Sequence, residues 1–286
     1  MNGVTAIAMV TVREVSRRRL VLALLLLSAV AIALTGWGFS RLPGVHNRDG
    51  TLLTPADVKL FSSQLLIFVL FMFSAVLGLG AVMVAAQSVS AEVESGQALA
   101  VLARPIERAQ VIIGKWAGLA VLVVVYAAVA TGAEFLVVLW ATGYVPPNPV
   151  QAAAFVAAEG LVLLTLTLLL SVRLSGITAG VIALMLFFIT WIAGVAGAVG
   201  AALSNGPIEA TGTVSRLLLP SDGLWRGAVF NMEPATVVAV ATGSREAAAN
   251  PFTSVTAPAG AYIAWAAGWV VAIVVLTIVA FRRREL

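Results

Sequence analysis

Cysteine is absent from the 286 residues, and His46 is the only histidine. Without cysteine there can be no disulfide, no zinc–thiolate site and no thiol catalysis. A single histidine also excludes a histidine-based metal centre and a proton relay of histidines inside a membrane. We therefore expect no metal site in this chain. The sequence also has no H-E-x-x-H motif and no aspartate within a long apolar run, which removes the usual metalloprotease and aspartyl routes for an intramembrane enzyme, so we expect no catalytic residue.

Charge is scarce as well, since only 10% of the residues are charged, whereas 61% are hydrophobic and the mean hydropathy is +1.04. An average soluble domain is roughly half apolar and a quarter charged. The composition therefore predicts an integral membrane protein. The net charge of +4 does not indicate nucleic-acid binding, because the cations stand at the ends of apolar runs and form no exposed basic stripe.

Six apolar runs are long enough, at about 1.5 Å per residue, to cross a hydrocarbon core of about 30 Å. They predict an all-α membrane protein with a single transmembrane domain over residues 1–286. The predicted spans cover residues 20–39, 61–87, 115–142, 150–171, 177–203 and 259–281.

Small residues recur at intervals of four in several of these spans, which allows helices to approach closely. They are Gly114 and Gly118, Gly176 and Gly180, and the series Gly260, Ala264, Gly268 and Ala272. We expect some of these faces to pack inside the chain and others to pack against a second subunit.

Residues 1–19 precede the first span and carry apolar side chains at nearly helical spacing, followed by Arg17, Arg18 and Arg19. They predict an amphipathic helix that lies along the inner membrane surface. A signal peptide is the alternative, but no small-residue cleavage site precedes a polar mature domain.

The distribution of lysine and arginine predicts the orientation. With the N-terminus inside, the inner segments hold four cations before the first span, three between the second and third, one between the fourth and fifth, and three after the sixth. The outer segments hold six, all of them in two longer loops, where charge constrains orientation less. We predict that both termini lie in the cytoplasm and that the chain lies in the cytoplasmic (inner) membrane.

Residues 204–258 form the long outer loop between the fifth and sixth spans. Its apolar part, residues 214–232 around a corner at Pro220, predicts two short amphipathic helices resting on the outer membrane surface. Residues 236–258 are small and polar and predict a looser connection. Asp222, like Asp49 and Asp57, is expected on a solvated face.

Residues 88–115 form a polar stretch between the second and third spans, with three carboxylates and three cations. These are Glu92, Glu94, Glu107, Arg104, Arg108 and Lys115. Ser95 is expected to cap a short helix that ends near Arg104, because the residue before a proline avoids the α region. Pro105 is expected at the first position of a second helix that continues into the third span. The pattern predicts a helix, a corner and another helix, open to contact from the water side.

Three pieces of this stretch resemble the cytoplasmic loop after the second span in permeases of type-2 ABC transporters, including those for nitrous oxide reductase maturation and multidrug export. The pieces are Glu92-Val-Glu94-Ser-Gly96, Leu102-Ala-Arg104-Pro105-Ile-Glu-Arg108 and Gly114-Lys115. Gln97 departs from the family pattern, which has Thr or Ser after the glycine. The outer run of residues 219–226 is also similar to a segment of this family.

The resemblance implies that the loop holds a coupling helix, which docks on an ATP-hydrolysing subunit and passes its motion to the spans. Glu92, Glu94 and Gly96 would shape this helix, and Arg104 and Arg108 would lie at the docking face. Pro105, Gly114 and Lys115 complete the predicted docking set. The alternative is an interfacial loop that only anchors two spans.

The chain has no phosphate-binding G-x-x-x-x-G-K-[ST] motif, because Trp116 follows Gly114-Lys115 and Ala109 stands at the place of the first glycine. We therefore expect no cofactor in this chain, with ATP and Mg²⁺ bound by a separate P-loop ATPase. The resemblance implies two copies of that ATPase, and a second permease that is either this chain again or a close paralogue. It also implies transport, most simply export.

Two carboxylates lie inside predicted spans, Glu134 in the third and Glu159 in the fourth. Each is nine or ten residues, roughly 14 Å, from the turn between these spans, so they share a depth near the midplane. An intramembrane carboxylate is costly and marks a candidate translocation path. Each is protonated, faces a wet cavity or binds a cationic group. The alternative is a structural hydrogen bond between helices, for which the hydroxyls of Thr131, Thr165 and Thr167 are available.

Two other functions stay open at this point. The two glutamates could couple transport to protons in a secondary transporter, although such a protein should show inverted repeats, and we find none in the sequence. The chain could also be a scaffold that recruits a partner without transport. An apolar lining with buried carboxylates suits a lipophilic cation or drug, while lipids, peptides, a glycan carrier and a maturation factor stay open as substrates.

Overall fold

The computed structural model describes residues 3–47, 49–94, 107–244 and 249–283, with the backbone alone for residues 87 and 89–94. Within these residues it contains ten α-helices and no β-strand, which confirms the all-α class. The helices are α1 (Gly3–Ser16), α2 (Arg19–Phe39), α3 (Pro55–Glu94), α4 (Arg108–Thr142), α5 (Pro149–Ser171), α6 (Gly176–Ala202), α7 (Gly206–Leu218), α8 (Ser221–Met232), α9 (Ala235–Gly243) and α10 (Gly260–Arg282).

Six of these helices, α2 to α6 and α10, are long and apolar enough to cross a membrane. The six predicted spans are therefore confirmed, and the chain is a multi-pass membrane protein. Both α3 and α4 extend beyond the predicted spans, to Glu94 and from Arg108. The apolar run marks only the part of a helix that lies in hydrocarbon. No proline or glycine interrupts residues 88–94, so the backbone bonds of α3 continue into water.

The start of α3 shows how the sequence sets a helix end. Thr54 Oγ1 accepts a hydrogen bond from Asp57 N at 3.2 Å, and the Asp57 carboxylate accepts one from Thr54 N at 3.2 Å. This reciprocal capping box satisfies backbone donors that have no partner inside the helix. Pro55 occupies the first helical position, where its missing N–H costs nothing.

The start of α4 differs from the prediction. Glu107 has an extended backbone (φ −67°, ψ 139°), and its carbonyl accepts the N–H groups of Gln110 and Val111. The helix therefore begins at Arg108, three residues later than the start predicted from Pro105, which lies outside the described residues. At the other end Gly143 adopts a left-handed conformation (φ +68°) that ends α4.

The predicted N-terminal helix is present as α1, and it packs against the first turns of α4. A Cβ atom on Gly114 would lie 2.7 Å from Ile7 Cβ, and one on Gly118 would lie 2.7 Å from the Ala8 carbonyl oxygen. The face formed by these two glycines thus serves packing within the chain. The position of α1 on the membrane surface stays a prediction.

The helices α7 and α8 form a hairpin that folds back into the bundle. Along the antiparallel contact between α6 and α7, Gly200 meets the backbone of Glu209, and Gly197 meets Gly212. At the tip, the Ser221 and Thr190 hydroxyl oxygens are 3.1 Å apart. Thr190 lies 12 residues before the end of α6, so the hairpin reaches about 18 Å back along this span.

The prediction that these helices rest on the outer surface is wrong for α8, which is buried on nearly all sides. Small residues allow this burial, because Gly227 lies against Phe155 of α5 and Gly223 against Tyr262 of α10. The prediction of a loose connection after residue 235 is also wrong for its first part, since Ala235–Gly243 form α9.

Aromatic rings join the hairpin to the central helix α3. The centroid of the Phe71 ring lies 4.8 Å from that of Trp191 of α6 and 5.4 Å from that of Trp225 of α8. Phe252, in the segment before α10, lies at 5.5 Å from the same ring. Such pairs add about 0.5–1.5 kcal/mol each beyond the burial of their area. The outer half of the bundle is thus a packed core around α8.

Replacing Gly118 with Leu is expected to lift α1 away from α4, because the new side chain would collide with the Ala8 carbonyl and with Thr11. Because the chain has no cysteine, Thr11→Cys introduces a single thiol, and Thr11 is buried in this contact. Maleimide labelling of that thiol should be several-fold faster in the Gly118→Leu background. Gly132→Leu is the control, since a Cβ atom at Gly132 meets no atom within 4 Å. Equal labelling in both backgrounds would contradict the contact.

Candidate functional site

The end of α3 and the start of α4, which are predicted to lie on the cytoplasmic side, carry residues predicted to dock an ATPase subunit. Glu92 and Glu94 lie in the last turn of α3. Gly96, Arg104 and Pro105 lie outside the described residues. The docking role of these five residues stays a prediction, although the structure shows that the loop leaves directly from the second span and enters the third.

Arg108, at the start of α4, contacts the end of the last span. Its guanidinium donates hydrogen bonds to the carbonyl oxygens of Arg282 at 3.0 Å and Phe281 at 3.4 Å. The last carbonyls of a helix lack intrahelical partners and carry partial negative charge, so a cation there is stabilising. Arg108 therefore holds the end of the loop against α10, while its predicted contact with an ATPase stays a prediction.

Gly114 and Lys115 are buried in contacts with other helices of the chain. Gly114 lies under α1, as described above. Lys115 is 6% exposed, and its Nζ donates a hydrogen bond to the Ser88 carbonyl of α3. Lys115 thus joins the two helices that flank the loop, while the predicted role of these two residues in docking stays a prediction.

Glu134 of α4 is fully buried in the membrane part of the bundle. Its Oε1 lies 3.3 Å from Thr35 Oγ1 of α2, and its Oε2 has no hydrogen-bond partner among the described residues. Thr35 has a single hydroxyl proton and also lies 3.0 Å from the Ala31 carbonyl oxygen. When that proton goes to Ala31, no described donor reaches the Glu134 carboxyl group.

Glu159 of α5 is also buried, but its partner lies on another helix. Its Oε2 accepts a hydrogen bond from Ser74 Oγ of α3 at 2.7 Å. The two intramembrane carboxylates therefore contact hydroxyls of different helices, α2 and α3. The threonines considered from the sequence are not these partners, since Thr165 instead accepts from Trp116 Nε1 at 2.9 Å.

The tip of the hairpin holds a cluster of charges that the sequence analysis missed. Asp222 is 2% exposed, and its Oδ2 lies 2.7 Å from Arg216 Nε and 3.3 Å from Arg226 Nε. Arg226 also donates to the Gly194 carbonyl of α6 at 3.0 Å. The expectation that Asp222 is solvated is therefore wrong. The spacing of four residues from Asp222 to Arg226 is typical of ion pairs on a helix, and only the insertion of the hairpin buries it.

Further polar contacts hold the same tip to the last span. Tyr262 of α10 donates to the Pro220 carbonyl at 3.0 Å, beside the contact between Ser221 and Thr190. The hairpin tip thus meets α6 and α10 through hydrogen bonds, while the ion pairs join α7 to α8. In an apolar environment such contacts are the ones that fix one helix against another.

A fourth buried carboxyl group, Glu233, lies just after α8, at the end of the bundle that is predicted to face outward. Its Oε2 accepts a hydrogen bond from Ser254 N at 3.0 Å, in the segment before α10. Next to it, Tyr144 in the turn between α4 and α5 donates to the Met232 carbonyl. Burial raises the pKa of Glu233 to about 7, although the Ser254 hydrogen bond partly opposes this rise. Three outer segments therefore meet at one titratable group.

Asp222→Asn should destabilise the protein by about 3–5 kcal/mol, because two arginines remain at the hairpin tip without their counter-charge. This corresponds to roughly 5–15 °C in the Tm of the purified chain. The control is Glu209→Gln, which changes an exposed carboxylate of the same hairpin. A Tm equal to that of the control would show that the cluster contributes no net stability.

Stability should fall as the pH rises from about 4.5 to about 7, because the folded state holds the Glu233 proton over this range and the unfolded state releases it. Glu233→Gln stays neutral and should remove this part of the pH dependence. Thermal unfolding between pH 4.5 and pH 8 measures the effect, with Glu209→Gln again as the control. Parallel Tm profiles for wild type and Glu233→Gln would contradict the raised pKa.

Comparison with known proteins places this arrangement in a family. A family model described as "ABC-2 family transporter protein" matches residues 7–286, which include all six spans, the cytoplasmic loop and the hairpin. A search among curated proteins gave no significant match. Because the family model covers nearly the whole chain, this protein belongs to the ABC-2 transporter family and is a multi-pass membrane permease of an ABC transporter.

Proposed function

We propose that this chain couples ATP hydrolysis by a separate cytoplasmic subunit to the export of a substrate across the cytoplasmic membrane. Membership of the family implies an ATPase partner. In the proposed assembly, two copies of that P-loop ATPase bind ATP and Mg²⁺ and dock on a dimer of permeases whose termini lie in the cytoplasm. The chain itself carries out no covalent chemistry.

The continuity of the loop with two long helices is the observation that carries this proposal. The 40 residues of α3 lead into the loop and the 35 residues of α4 lead out of it. At about 1.5 Å per residue these helices are about 60 and 52 Å long, so each is longer than the hydrocarbon core is thick. A force on the loop would therefore move both spans as rigid bodies.

Contacts at the base of the loop support this mechanical role. Lys115 joins α4 to α3, and Arg108 joins α4 to the end of α10. The α1 helix packs on Gly114 and Gly118 of the same region. A displacement of the loop would thus reach the second, third and sixth spans and the N-terminal helix together, which is what a change from an inward-open to an outward-open state requires.

An uncovered face of small residues on the last span supports the proposal of a dimer. A Cβ atom on Gly260 or on Gly268 would meet no atom within 4 Å, so this small-residue face has no close neighbour in the part of the chain that the structure describes. Faces of this kind allow close helix contact between subunits. Glu134 and Glu159 remain the proposed residues of the translocation path.

The first experiment is co-purification of the ATPase with the full chain in mild detergent, for wild type and Glu94→Arg. We expect a P-loop ATPase to accompany the wild type and its recovery to fall about tenfold with Glu94→Arg, since a reversed charge at a docking surface costs more than 1 kcal/mol. Glu209→Arg, on the outer side in this orientation, is the matched control and should keep the ATPase.

Other outcomes separate the alternative functions. If no ATPase accompanies the wild type, the coupling proposal fails, and transport that depends on a proton gradient becomes the function to test. If the ATPase binds but its hydrolysis and substrate movement do not depend on this chain, the chain is a scaffold. Loss of the partner from both Glu94→Arg and Glu209→Arg would contradict a specific docking surface.

A further inference from the structure

A cleft between α2 and α3 opens from the membrane side of the bundle. Its volume is about 190 Å³, and its walls come from one stripe of each helix. The lining residues are Leu27, Ser28, Ala31, Thr35, Phe68, Val69, Met72, Phe73 and Val76. Two of the larger side chains, Phe68 and Met72, are 49% and 44% exposed, so the cleft is reached sideways from the lipid.

Beside the cleft α2 is held to α4, and it meets α3 closely only beyond the cleft lining, where a Cβ atom on Gly80 would lie 2.9 Å from Leu24. Ser28 shares a hydrogen bond with Tyr126 of α4, and Thr35 contacts Glu134 of α4. A Cβ atom on Gly36 would lie 2.7 Å from Val137, so the two helices touch closely there as well. With this face of α2 turned to α4, the adjoining face stands apart from α3.

The body of a ligand for this cleft must be apolar. Seven of the nine lining residues have hydrocarbon, aromatic or thioether side chains. A cavity of about 150 Å³ with such walls stays dry and takes up small apolar molecules. The hydroxyls of Ser28 and Thr35 already donate within the protein, to the Leu24 and Ala31 carbonyls respectively. The lining therefore favours an alkyl chain or a ring system over a sugar or a peptide.

A carboxyl group next to the wall of the cleft favours a ligand that carries a positive charge. Thr35 lines the cleft, and its Oγ1 lies 3.3 Å from Oε1 of Glu134, which is fully buried beyond the lining. Oε2 of Glu134 has no hydrogen-bond partner among the described residues. Lys115 on the same helix is 19 residues away, about 28 Å along the axis, so it cannot reach this carboxylate. Arg41, beyond the end of α2, lies over the Trp37 ring at 5.6 Å. An ammonium group from outside the chain would supply the missing charge and donor.

From this geometry we infer that the cleft between α2 and α3 binds an amphiphilic amine, with its apolar body between Ala31 and Met72 and its ammonium group on the Thr35 hydroxyl, beside the Glu134 carboxylate. The ammonium group donates to Thr35 Oγ1 in the cleft, and the Thr35 proton then goes to Glu134 Oε1, 3.3 Å away, so that the carboxylate supplies the counter-charge. Glu134 lies eight residues, about 12 Å, from the outer end of α4. A single-chain amine fits this depth better than a phospholipid, whose phosphate would have to leave the interface.

The test uses a photoactivatable alkylamine and the alcohol of the same chain length, with the full chain in lipid nanodiscs and labelled peptides identified by mass spectrometry. The amine should label peptides of α2 and α3 around Ala31 and Met72 about tenfold more than the alcohol, since one buried charge pair is worth about this factor. Unlabelled alkylamine should compete, whereas the alkyl sulfate of equal length should not.

Variants separate the charge from the shape of the site. Glu134→Gln, which keeps the size of the side chain, should lower amine labelling to the level of the alcohol and leave the alcohol unchanged. Met72→Trp, which fills the cleft, should lower both. Leu136→Trp changes an exposed side chain of α4 outside the cleft and is the control that should change neither.

The comparison of amine, alcohol and sulfate uses only the wild type, so it tests the site even if a variant does not fold. Equal labelling by amine and alcohol, or equal competition by amine and sulfate, would overturn the charge selection and leave only an apolar groove filled by lipid. Labelling of the amine at other helices would overturn the location. Binding needs neither ATP nor the partner subunit, so these results are independent of the co-purification experiment.

Discussion

The close contact between α6 and α7 is the interaction on which the outer half of the molecule depends. Gly197 and Gly212 face each other so closely that a Cβ atom on either would lie less than 3 Å from the other backbone. In lipid, helices gain little from hiding apolar surface, because the surrounding chains are equally apolar. Close backbone packing and polar contacts must therefore hold the hairpin in the bundle.

The tip of the hairpin buries charged side chains, and neighbouring helices must leave space for them. Asp222 is buried with Arg216 and Arg226, and removal of Asp222 would leave two cations without a counter-charge. The Gly194 position has to be a glycine, since a Cβ atom there would lie 2.2 Å from the Asp222 carboxylate. Glycines of α6 thus allow α7 to pack closely and leave space for the charge cluster at the hairpin tip.

Two long helices connect this outer core with the cytoplasmic loop. α3 carries Phe71, which touches Trp225 of the hairpin, and Ser74, which binds Glu159. α4 carries Glu134 at mid-depth and Lys115 at its base. Rigid helices with fixed contacts at both ends are a physical means of passing a displacement across the membrane. The buried carboxylates lie on or against these helices, where a displacement would change their surroundings.

The sequence by itself determined the membrane class, the six spans, the N-terminal helix and the position of Glu134 and Glu159 inside spans, because apolar length and position along a run fix the depth of a residue. The family followed from motifs of the loop and is confirmed by the family match. Only the tertiary structure decided that α8 enters the bundle, that Asp222 and Lys115 are buried, and that Glu159 pairs with Ser74, 85 residues away. The spans are apolar on all sides, so their pattern does not mark the face that meets another helix. That choice depends on small and polar residues of distant segments, which fit together only when the chain is folded.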